Sequence, residues 1–401
     1  MTKFNKALLA STAIAFATGL AMPAFAADDV SAAPGVVASQ KKVKVRLYGQ
    51  IARVFGFVGD GESVTFKQGE ESSTSTRMGI DGRGKVTNDI SLRTRFEFNV
   101  RSGDTGGGTQ FVNNGGSASR FDVRHLDVIL SSKKFGAVWM GRGDSATNGS
   151  SEVNLAPGIS SARLGGTTVS NISEYRLLDK NSSLATQAVA TVDRFFDNFD
   201  GASRTNRIRY DTPTFFGFMA SVGLIDKHNV DAAVRYKGKI AGTDIAGAVG
   251  YCHSKGTNTA GNSSCFGNGT TVAGVDQLNG SISVKLPIGL GATFSGGTQW
   301  QDRIGTGHST KTDPYNLSPS IFYTTKVTEL GATTFEYAFQ YCKHCGNKDD
   351  KGMGHQVTAV QQIDSIGGDY FLNFNYVDAE TATNDNIEPL WYFGGGFRQR
   401  F

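Results

Sequence analysis

The sequence predicts an all-β protein, an antiparallel sheet closed into a transmembrane barrel. Three observations lead to this prediction. The chain begins with an export signal, no long apolar run follows it, and apolar and polar residues alternate through many segments. Lipid admits only helices and closed barrels, because only these satisfy all their own backbone hydrogen bonds. An exported membrane protein without a helical span is therefore expected to be a barrel.

The export signal occupies residues 1–26. Two lysines precede an uncharged apolar stretch at 7–20, and residues 24–26 read Ala-Phe-Ala. A basic start, an apolar centre and a small-residue cleavage site are typical of secretory signals. We predict cleavage after residue 26, which leaves 27–401 as one barrel domain with an N-terminal extension at 27–42.

Composition supports strands and turns. The chain has 51 glycines, 27 phenylalanines and only 8 prolines in 401 residues, a composition that favours strands joined by tight turns. After the signal, no apolar run reaches the roughly 18 residues that a transmembrane helix needs. The formal net charge of +4 gives no sign of a nucleic-acid-binding surface, and we predict no nucleic-acid partner.

Alternation distinguishes a barrel from a soluble sandwich. In residues 91–101, one face carries Leu92, Phe96, Phe98 and Val100, and the other Arg93, Arg95, Glu97, Asn99 and Arg101. Residues 334–342, 369–378 and 391–401 show similar alternation. Apolar residues toward lipid and polar residues toward water are typical of pore-forming barrels. A soluble β-sandwich with one wet face is the alternative, but its apolar faces would have to meet each other.

The alternation and the turn signals together predict sixteen strands. Short turns alternate with long loops along most of the chain, as in outer-membrane barrels, and a barrel of this size leaves an aqueous channel. The long loops are expected at 59–73, 103–119, 143–203, 254–275, 302–315, 343–353 and 379–387. The strands are expected near 43–57, 74–86, 89–102, 120–131, 134–142, 204–211, 214–226, 230–239, 242–253, 276–286, 289–301, 316–327, 330–342, 354–364, 367–378 and 388–401.

Three stretches resemble a known family. Residues 45–50 read Val-Arg-Leu-Tyr-Gly-Gln, residues 123–143 contain a Phe-Gly turn and end in Gly-Arg-Gly, and residues 206–217 read Asn-Arg-Ile-Arg-Tyr-Asp-Thr-Pro-Thr-Phe-Phe-Gly. Their order and spacing resemble the general diffusion porins of Gram-negative outer membranes, in particular the alphaproteobacterial ones. The terminal Phe401 is similar to the aromatic residue that this family presents to the outer-membrane assembly machinery.

The resemblance implies a homotrimer in the outer membrane, in contact with lipids and lipopolysaccharide, without cofactor, metal or enzymatic activity. It also implies that the loop 143–203 folds into the pore as a constriction loop, with acids that face arginines on the wall. Alternation and resemblance nominate as wall residues Arg46, Gln50, Arg77, Arg93, Arg95, Arg124, Arg207 and Arg209. The candidate loop acids are Asp144, Glu152, Glu174 and Asp179.

One strand conflicts with this pattern. His125 and Asp127 alternate with Arg124 and would therefore face lipid. Charges at the bilayer midplane are costly, so this register predicts a subunit interface at the fourth strand.

The four cysteines form two local groups. Cys252 and Cys265 flank one loop, and Cys342 and Cys345 begin another. Because exported proteins meet an oxidising compartment, we expect these two local disulfides among three possible pairings. The alternative for Cys342-Lys-His-Cys345 is a redox or zinc site, but it has no second ligand pair at fitting spacing. The acids of residues 193–200 do not have the spacing of a calcium loop, so we expect no metal there.

Three functions remain open. The favoured one is a water-filled channel for passive diffusion of small hydrophilic solutes and ions. The second is a channel on the same fold that selects sugars, phosphate or another anion. The third is a closed barrel that acts as an adhesin or hydrolase, although neither Gly-x-Ser-x-Gly nor His-Glu-x-x-His occurs in the chain.

Overall fold

The computed structural model of the protein describes residues 37–40, 43–71, 74–101, 120–159, 172–173, 175–180, 188–226, 229–255, 265, 274–301, 313–345 and 347–401. Eighteen strands of these residues form one antiparallel sheet, and two short strands pair separately. The predicted signal and most of the N-terminal extension lie outside the described residues. In the part of the chain that the structure describes, no helix has both the length and the apolar character to cross a membrane.

The strands follow one another in chain order around the sheet. They are β1 (Val37–Gln40), β2 (Val43–Gly59), β3 (Val64–Glu70), β4 (Arg77–Lys85), β5 (Ile90–Arg101), β6 (Arg120–Ser132), β7 (Gly136–Asp144), β8 (Arg176–Leu178), β9 (Ala188–Thr191), β10 (Arg204–Asp211), β11 (Phe218–Ile225), β12 (Asn229–Ile240), β13 (Thr243–Ser254), β14 (Val275–Lys285), β15 (Leu290–Gln301), β16 (Tyr315–Thr328), β17 (Gly331–Lys343), β18 (Lys351–Ile363), β19 (Gly368–Glu380) and β20 (Leu390–Arg400).

The sheet closes between its first long strand and its last. Residues 50–59 of β2 pair with residues 391–400 of β20 in an antiparallel register. On its other edge β2 pairs with β4 and then with β3, so these two make one interrupted barrel strand. The predicted sixteen-stranded antiparallel barrel is thereby confirmed. The short β1 pairs with the first residues of β2, beyond the end of β20.

The barrel has apolar residues outside and polar residues inside. Ile51, Phe55 and Phe57 each expose about half of their surface on the outer face of β2, whereas the alternate positions Gln50 and Ala52 are buried. Such an arrangement suits a wall with lipid outside and water inside. Short connections such as residues 241–242 lie at one end of the barrel, the turn end. Long connections such as 145–203 lie at the other, the loop end.

The prediction that residues 59–73 form a loop is wrong for most of that range. Val64–Glu70 forms β3 and extends the second barrel strand toward the loop end. The remaining connection is a tight turn in which Asp60 Oδ1 accepts the backbone N–H of Ser63 at 2.8 Å. The apolar residues Val64 and Phe66 are exposed and continue the outer face of the barrel.

The outward direction predicted for His125 and Asp127 is also wrong, and with it goes the ground for a subunit interface at this strand. The register between β5 and β6 shifts where Glu97 pairs with His125 and Phe98 pairs with Val123. This β-bulge inserts Arg124 as an extra residue, so that Arg124 and His125 can both point inward. His125 and Asp127 are buried inside the barrel, while Leu126 is exposed on the outer face.

Two disulfides join the expected cysteines. Cys252 is bonded to Cys265, and Cys342 to Cys345. The first bond holds a residue of the β13–β14 connection against the inner wall, where both sulfur-bearing side chains pack with Ala202 and Ile225. The predicted pairing is therefore confirmed.

Candidate functional site

The long connection between β7 and β10 enters the barrel and lies along its inner wall. Ser150 Oγ donates to Asn279 Oδ1 at 2.8 Å. The backbone N–H of Val153 donates to Ser281 Oγ at 2.9 Å, and that of Leu155 to Ser283 Oγ at 3.0 Å. All three wall residues belong to β14 and occupy alternate, inward positions. The outbound segment, residues 145–159, is therefore docked on the wall by hydrogen bonds from its backbone and from the Ser150 side chain.

The outbound segment ends deep against the opposite strands. Ile159 is buried in an apolar cluster with Val54 of β2, Phe322 of β16, Val360 of β18 and Phe371 of β19. This cluster anchors the segment inside the barrel, because moving Ile159 into water would expose apolar surface.

The return segment, described at 172–173, 175–180 and 188–203, lies nearer the loop end. Tyr175, Leu177 and Phe195 pack with Leu390 and Tyr392 of β20 in a second buried cluster. Arg194 forms an ion pair of 2.7 Å with Asp350 in the β17–β18 connection. Farther along, the backbone oxygen of Phe199 accepts Gln277 Nε2 at 2.7 Å. The loop thus covers the part of the lumen formed by β14–β18 and by the loop-end residues of β19 and β20.

Two acids of the return segment are sensitive to their surroundings. Burial raises the pKa of Asp197 to about 6, although its carboxylate also accepts the backbone N–H of Phe199 at 2.7 Å. Burial, and then the nearby charge of Glu152, raise the pKa of Asp200. Both carboxyls therefore hold a proton more readily in the docked loop than in water.

Uncharged polar side chains dominate the wall beneath the loop. These buried amides and hydroxyls add no charge to the lumen, and several of them, such as Gln277, Ser281 and Ser283, hydrogen-bond the loop backbone. They include Gln277, Asn279, Ser281, Ser283, Thr293, Asn316, Ser318, Gln340, Gln356, Thr358, Asn373 and Asn375.

The facing half of the lumen is charged. Arg46, Asp81, Arg95 and Asp127 lie opposite one another on four adjacent strands, β2, β4, β5 and β6. In the next row, Tyr48 reaches past Gly79 and donates to Glu97 Oε2 at 2.9 Å. Cross-strand neighbours on one face of a sheet interact directly, so this half forms a continuous network, which we call the arginine wall. It is formed by Arg46, Arg77, Arg83, Arg93, Arg95, Arg124, Arg207, Arg209, Arg398 and Arg400 with their carboxylate partners.

Four carboxylates in this wall are each shared by two arginines. Asp81 binds Arg83 at 2.8 Å and Arg93 at 2.9 Å. Glu97 binds Arg124 at 2.6 Å and lies 3.9 Å from Arg77. Asp127 binds Arg95 and Arg207 at 3.2 and 2.8 Å, and Asp369 binds Arg398 and Arg400 at 2.5 and 2.6 Å. Since arginine keeps its charge, each group has one positive charge in excess.

Three arginines hold the start of the loop instead of facing open water. Arg207 Nε donates to the backbone oxygen of Asp144 at 2.9 Å, and Arg209 Nη1 to that of Ser145 at 2.9 Å. Arg235 Nη2 donates to the oxygens of Ala146 and Asn148, both at 2.8 Å. Arg235 was not among the predicted residues, although Asp231, Ala233 and Arg235 alternate with Ala232 and Val234 and so share the inward face.

The candidate loop acids lie in different places. Asp144, the last residue of β7, lies within the arginine wall, 3.0 Å from Arg204 and 3.9 Å from Arg95. Glu152 is exposed on the outbound segment and accepts Asn198 Nδ2 at 2.8 Å. Asp179 forms a bridge with Ile387 at the loop end. Glu174 lies outside the described residues.

The remaining predicted wall residues fall close together. Gln50 pairs across strands with Arg77 on one side and with Arg400 on the other. Arg46 stacks on the ring of Tyr48 at 5.5 Å. Phe401 exchanges backbone hydrogen bonds with Gly49, both of 3.0 Å, where β20 closes on β2. The acids Asp81, Glu97, Asp127 and Asp369 were not nominated. The first three could be found by alternation, because each directly follows an apolar residue of its strand.

Solved structures with similar folds are outer-membrane proteins. The anion-selective porin from Comamonas acidovorans is 17% identical, with a TM-score of 0.58, and the match covers 90% of this chain and 100% of that chain. OmpF of Salmonella typhi, in complex with daunomycin, is 15% identical, with a TM-score of 0.55 and coverage of 91% and 100%. The in-vitro folded trimer form of OmpT of Vibrio cholerae is 13% identical, with a TM-score of 0.53 and coverage of 90% and 100%. At these identities the likeness shows the fold.

Sequence comparison identifies the family. A comparison with curated proteins finds no match. The family model described as Gram-negative porin matches residues 10–388, which is most of the chain. The match agrees with the closed barrel, its polar interior and its inward loop. The chain therefore belongs to the Gram-negative porins and forms an outer-membrane channel for the passive diffusion of small hydrophilic solutes.

Proposed function

We propose that this channel prefers anions to cations without excluding either, and that it acts without catalysing a reaction. The narrowest passage lies between the arginine wall and the outbound segment, residues 145–159. The observation that carries the proposal is the repeated sharing of one carboxylate by two arginines. It leaves an excess of positive charge on one half of the lumen, opposite a half whose buried wall is mostly uncharged.

The field at the constriction follows from this asymmetry. A charge-lined cleft with low-dielectric walls raises the local concentration of counter-ions. Glu152, which is exposed on the outbound segment, opposes the arginines and keeps the preference moderate. A cation can therefore pass near Glu152 while anions follow the arginines.

The test is the reversal potential of single channels in planar bilayers under a potassium chloride gradient. We expect a reversal potential of the sign that indicates chloride preference. Arg77→Gln should move it toward that of an unselective channel. The matched control is Lys239→Gln, which removes an exposed charge, paired at 3.1 Å with Asp244, close to a turn and away from the arginine wall. A cation-preferring wild-type channel, or no conductance from folded protein, would contradict the proposal.

We also propose that the channel is a homotrimer. OmpT of Vibrio cholerae, which has a similar fold, occurs in a trimer form. Support in this chain comes from Arg53, which lies on the outer face between the exposed apolar residues Ile51 and Phe55. Its side chain is 30% exposed, whereas that of its partner Glu70, at 2.7 Å, is 5% exposed. Charged groups toward lipid are destabilising near the midplane, so a neighbouring subunit is the better environment. The test is the size of the conductance steps in single-channel recordings, which should occur in groups of three if the channel is a trimer.

Two further partners are part of the proposal. Lipids and lipopolysaccharide contact the exposed aromatic residues of the outer face. The assembly machinery recognises the last strand with its terminal Phe401, whose side chain is about half exposed, at 45%. Deleting Phe401 should lower the amount of barrel in the outer membrane of cells without changing the conductance of the protein that inserts.

A further inference from the structure

We propose that the arginine wall contains a binding site for phosphate-bearing solutes, anions whose several charged oxygens engage two guanidinium groups at once. This inference rests on the proposed anion preference and goes further, because it names the class of anion that pauses in the pore. The site is framed by Arg77 and Arg400, which flank the buried Gln50.

The first step is the position of the two arginines. Gln50 on β2 pairs with Arg77 of β4 on one edge and with Arg400 of β20 on the other. Neighbouring strands lie about 4.8 Å apart, so the two arginines start from backbone positions about 10 Å apart on the same inward face. Gln50 itself is buried and donates to the backbone oxygens of Thr74 and Ser75, so a solute is held by the two long arginine side chains on either side of it.

The second step is the charge that each arginine presents. Arg77 shares Glu97 with Arg124, and Arg400 shares Asp369 with Arg398. The two carboxylates are buried, at 8% and 1% exposure, whereas Arg77 and Arg400 are each 21% exposed. Each buried carboxylate therefore neutralises the charge of one of its two guanidinium groups. One positive charge of each group remains, on the partly exposed arginine that faces the lumen.

The third step extends the site toward the turn end. Arg93, 24% exposed, shares Asp81 with Arg83 in the same way. Arg46 lies four residues before Gln50 on β2 and stacks on Tyr48. The pair at Asp127 differs, because Arg95 and Arg207 are buried with it and are not available to a solute. Positive charge thus continues from Gln50 toward the turn end, which is periplasmic in barrels of this kind.

The fourth step is the chemistry of the ligand. A guanidinium group offers a planar fork of N–H donors that matches two oxygens of a phosphate group. A chloride ion responds to the net charge but cannot use the fork geometry. The wall under the loop is lined mainly by buried amides and hydroxyls, and its buried acids include Glu336 and Asp350, of which Asp350 is already paired with Arg194. These features favour phosphate groups over halides of lower charge.

The experiment measures the block of single-channel chloride current by inorganic pyrophosphate added to one side of the bilayer. We expect block at millimolar pyrophosphate, stronger from the turn end than from the loop end. Arg77→Gln and Arg400→Gln should each weaken the apparent affinity by about 10-fold or more, since a charge-assisted hydrogen bond is lost in each. Lys239→Gln, close to a turn but away from the wall, should leave the block unchanged.

A second variant separates the fork from the charge. Arg77→Lys retains the positive charge and loses the planar fork, and it should weaken pyrophosphate block about 3-fold. Equal block in wild type and Arg77→Lys would show that the planar guanidinium fork is not needed for binding. Block that persists in an Arg77→Gln/Arg400→Gln double variant would show that pyrophosphate does not bind at this site. A wild-type channel that prefers chloride but is not blocked would refute this inference alone. A channel without chloride preference would refute the proposed function beneath it.

Discussion

Small residues next to large charged ones shape the lumen at the residue scale. At Gly143 an added Cβ would meet Asp127 Oδ2 and would come within 2.8 Å of Arg207 Nη2 and 3.0 Å of His125 Nδ1. At Gly79 it would meet the ring of Tyr48, which crosses that position to reach Glu97. These glycines leave space through which buried partners on neighbouring strands contact each other.

Gly143→Ala should destabilise the barrel by about 3 kcal/mol, near the lower end for breaking a buried ion pair. The methyl group would displace Arg207, which is fully buried with Asp127. The measurement is the temperature at which the folded band shifts on unheated versus heated SDS gels. Gly82→Ala is the control, because its Cβ would meet only the hydroxyl of Thr94, at 2.7 Å. Equal shifts in both variants would contradict this account.

The sequence predicts which residues face the lumen better than it predicts what they contact. Strict alternation put Arg207 and Arg209 inside, and that follows from the lipid outside. Their hydrogen bonds to the loop backbone join residues more than sixty positions apart, and no local pattern reports such contacts. The bulge at Arg124 was missed for a related reason, because alternation cannot show which residue of a strand is doubled.

At the scale of elements, the constriction loop is held at its start by a clamp of arginines and by Asp231. Asp231 Oδ2 accepts both the backbone N–H and the hydroxyl of Thr147, each at 2.8 Å. Arg235 donates to the carbonyl oxygens of Ala146 and Asn148, the residues on either side of Thr147. These contacts fix the direction in which the loop enters the lumen. The docking of residues 150–155 on β14 then holds the next part of the loop along the same wall.

Replacing Arg235 by Met should loosen the loop without removing the barrel. Two hydrogen bonds to a charged donor disappear, worth about 1.5–3 kcal/mol each by typical values. We expect larger current noise and more frequent transitions between conductance levels in single-channel recordings. Arg235→Lys should give an intermediate result, since one ammonium group can hold only part of the clamp. Quiet channels in Arg235→Met would show that the loop does not depend on this residue.

The return segment should make stability depend on pH. The pKa of Asp197 rises from an ordinary 3.8 to about 6 because of burial. The docked loop therefore binds a proton that an undocked loop releases, and the contribution of Asp197 to stability is greatest below about pH 4. It should fall as pH rises from 4 to 6 and level off above that.

The measurement is the heat-induced mobility shift between pH 4 and pH 7.5. Asp197→Asn should reduce this dependence, because asparagine keeps an acceptor for the N–H of Phe199 and does not titrate. Asp200 should leave some dependence in the variant, since its pKa is also raised. A wild-type barrel whose shift temperature rises from pH 4 to pH 6 would contradict the assignment.

The elements differ in how far the sequence predicts them. Strands such as β5 and β19 are evident because every second residue must suit lipid. β3 was missed because Asp60, Gly61 and Ser63 indicate a loop, and its Val64-Thr65-Phe66-Lys67 alternation is short. The path of the long loop was not predictable, because Ile159 finds its apolar partners on β2, β16, β18 and β19 only after the barrel closes.

At the scale of the whole molecule, the barrel separates an apolar exterior from a lumen with two unlike halves. One half is occupied by the loop and neutral side chains, and the other by arginines with too few acids. The resemblance to porins predicted this architecture, and the family match confirms it, while the alphaproteobacterial origin stays a prediction. The charged side chains that remain on the exterior bear on how subunits contact each other.

The outward ion pair of Arg53 and Glu70 gives the final prediction. Glu70→Gln keeps the shape of the side chain but leaves the Arg53 charge on a face otherwise directed to lipid. Losing one partner of a shielded pair is destabilising by about 3 kcal/mol or more, and the loss should fall on subunit association if this face is the contact. Oligomers of the variant should therefore separate on SDS gels at a lower temperature than those of wild type.

Glu329→Gln is the matched control for that experiment. It removes the partner of Lys326 in an exposed pair of 3.1 Å, and exposed pairs contribute little, so its oligomer should separate at the wild-type temperature. If Glu70→Gln left oligomers intact and instead lowered the unfolding temperature of separated subunits, the pair would be stabilising the β2–β3 hairpin within one barrel. The trimer contact would then have to lie on another part of the outer face.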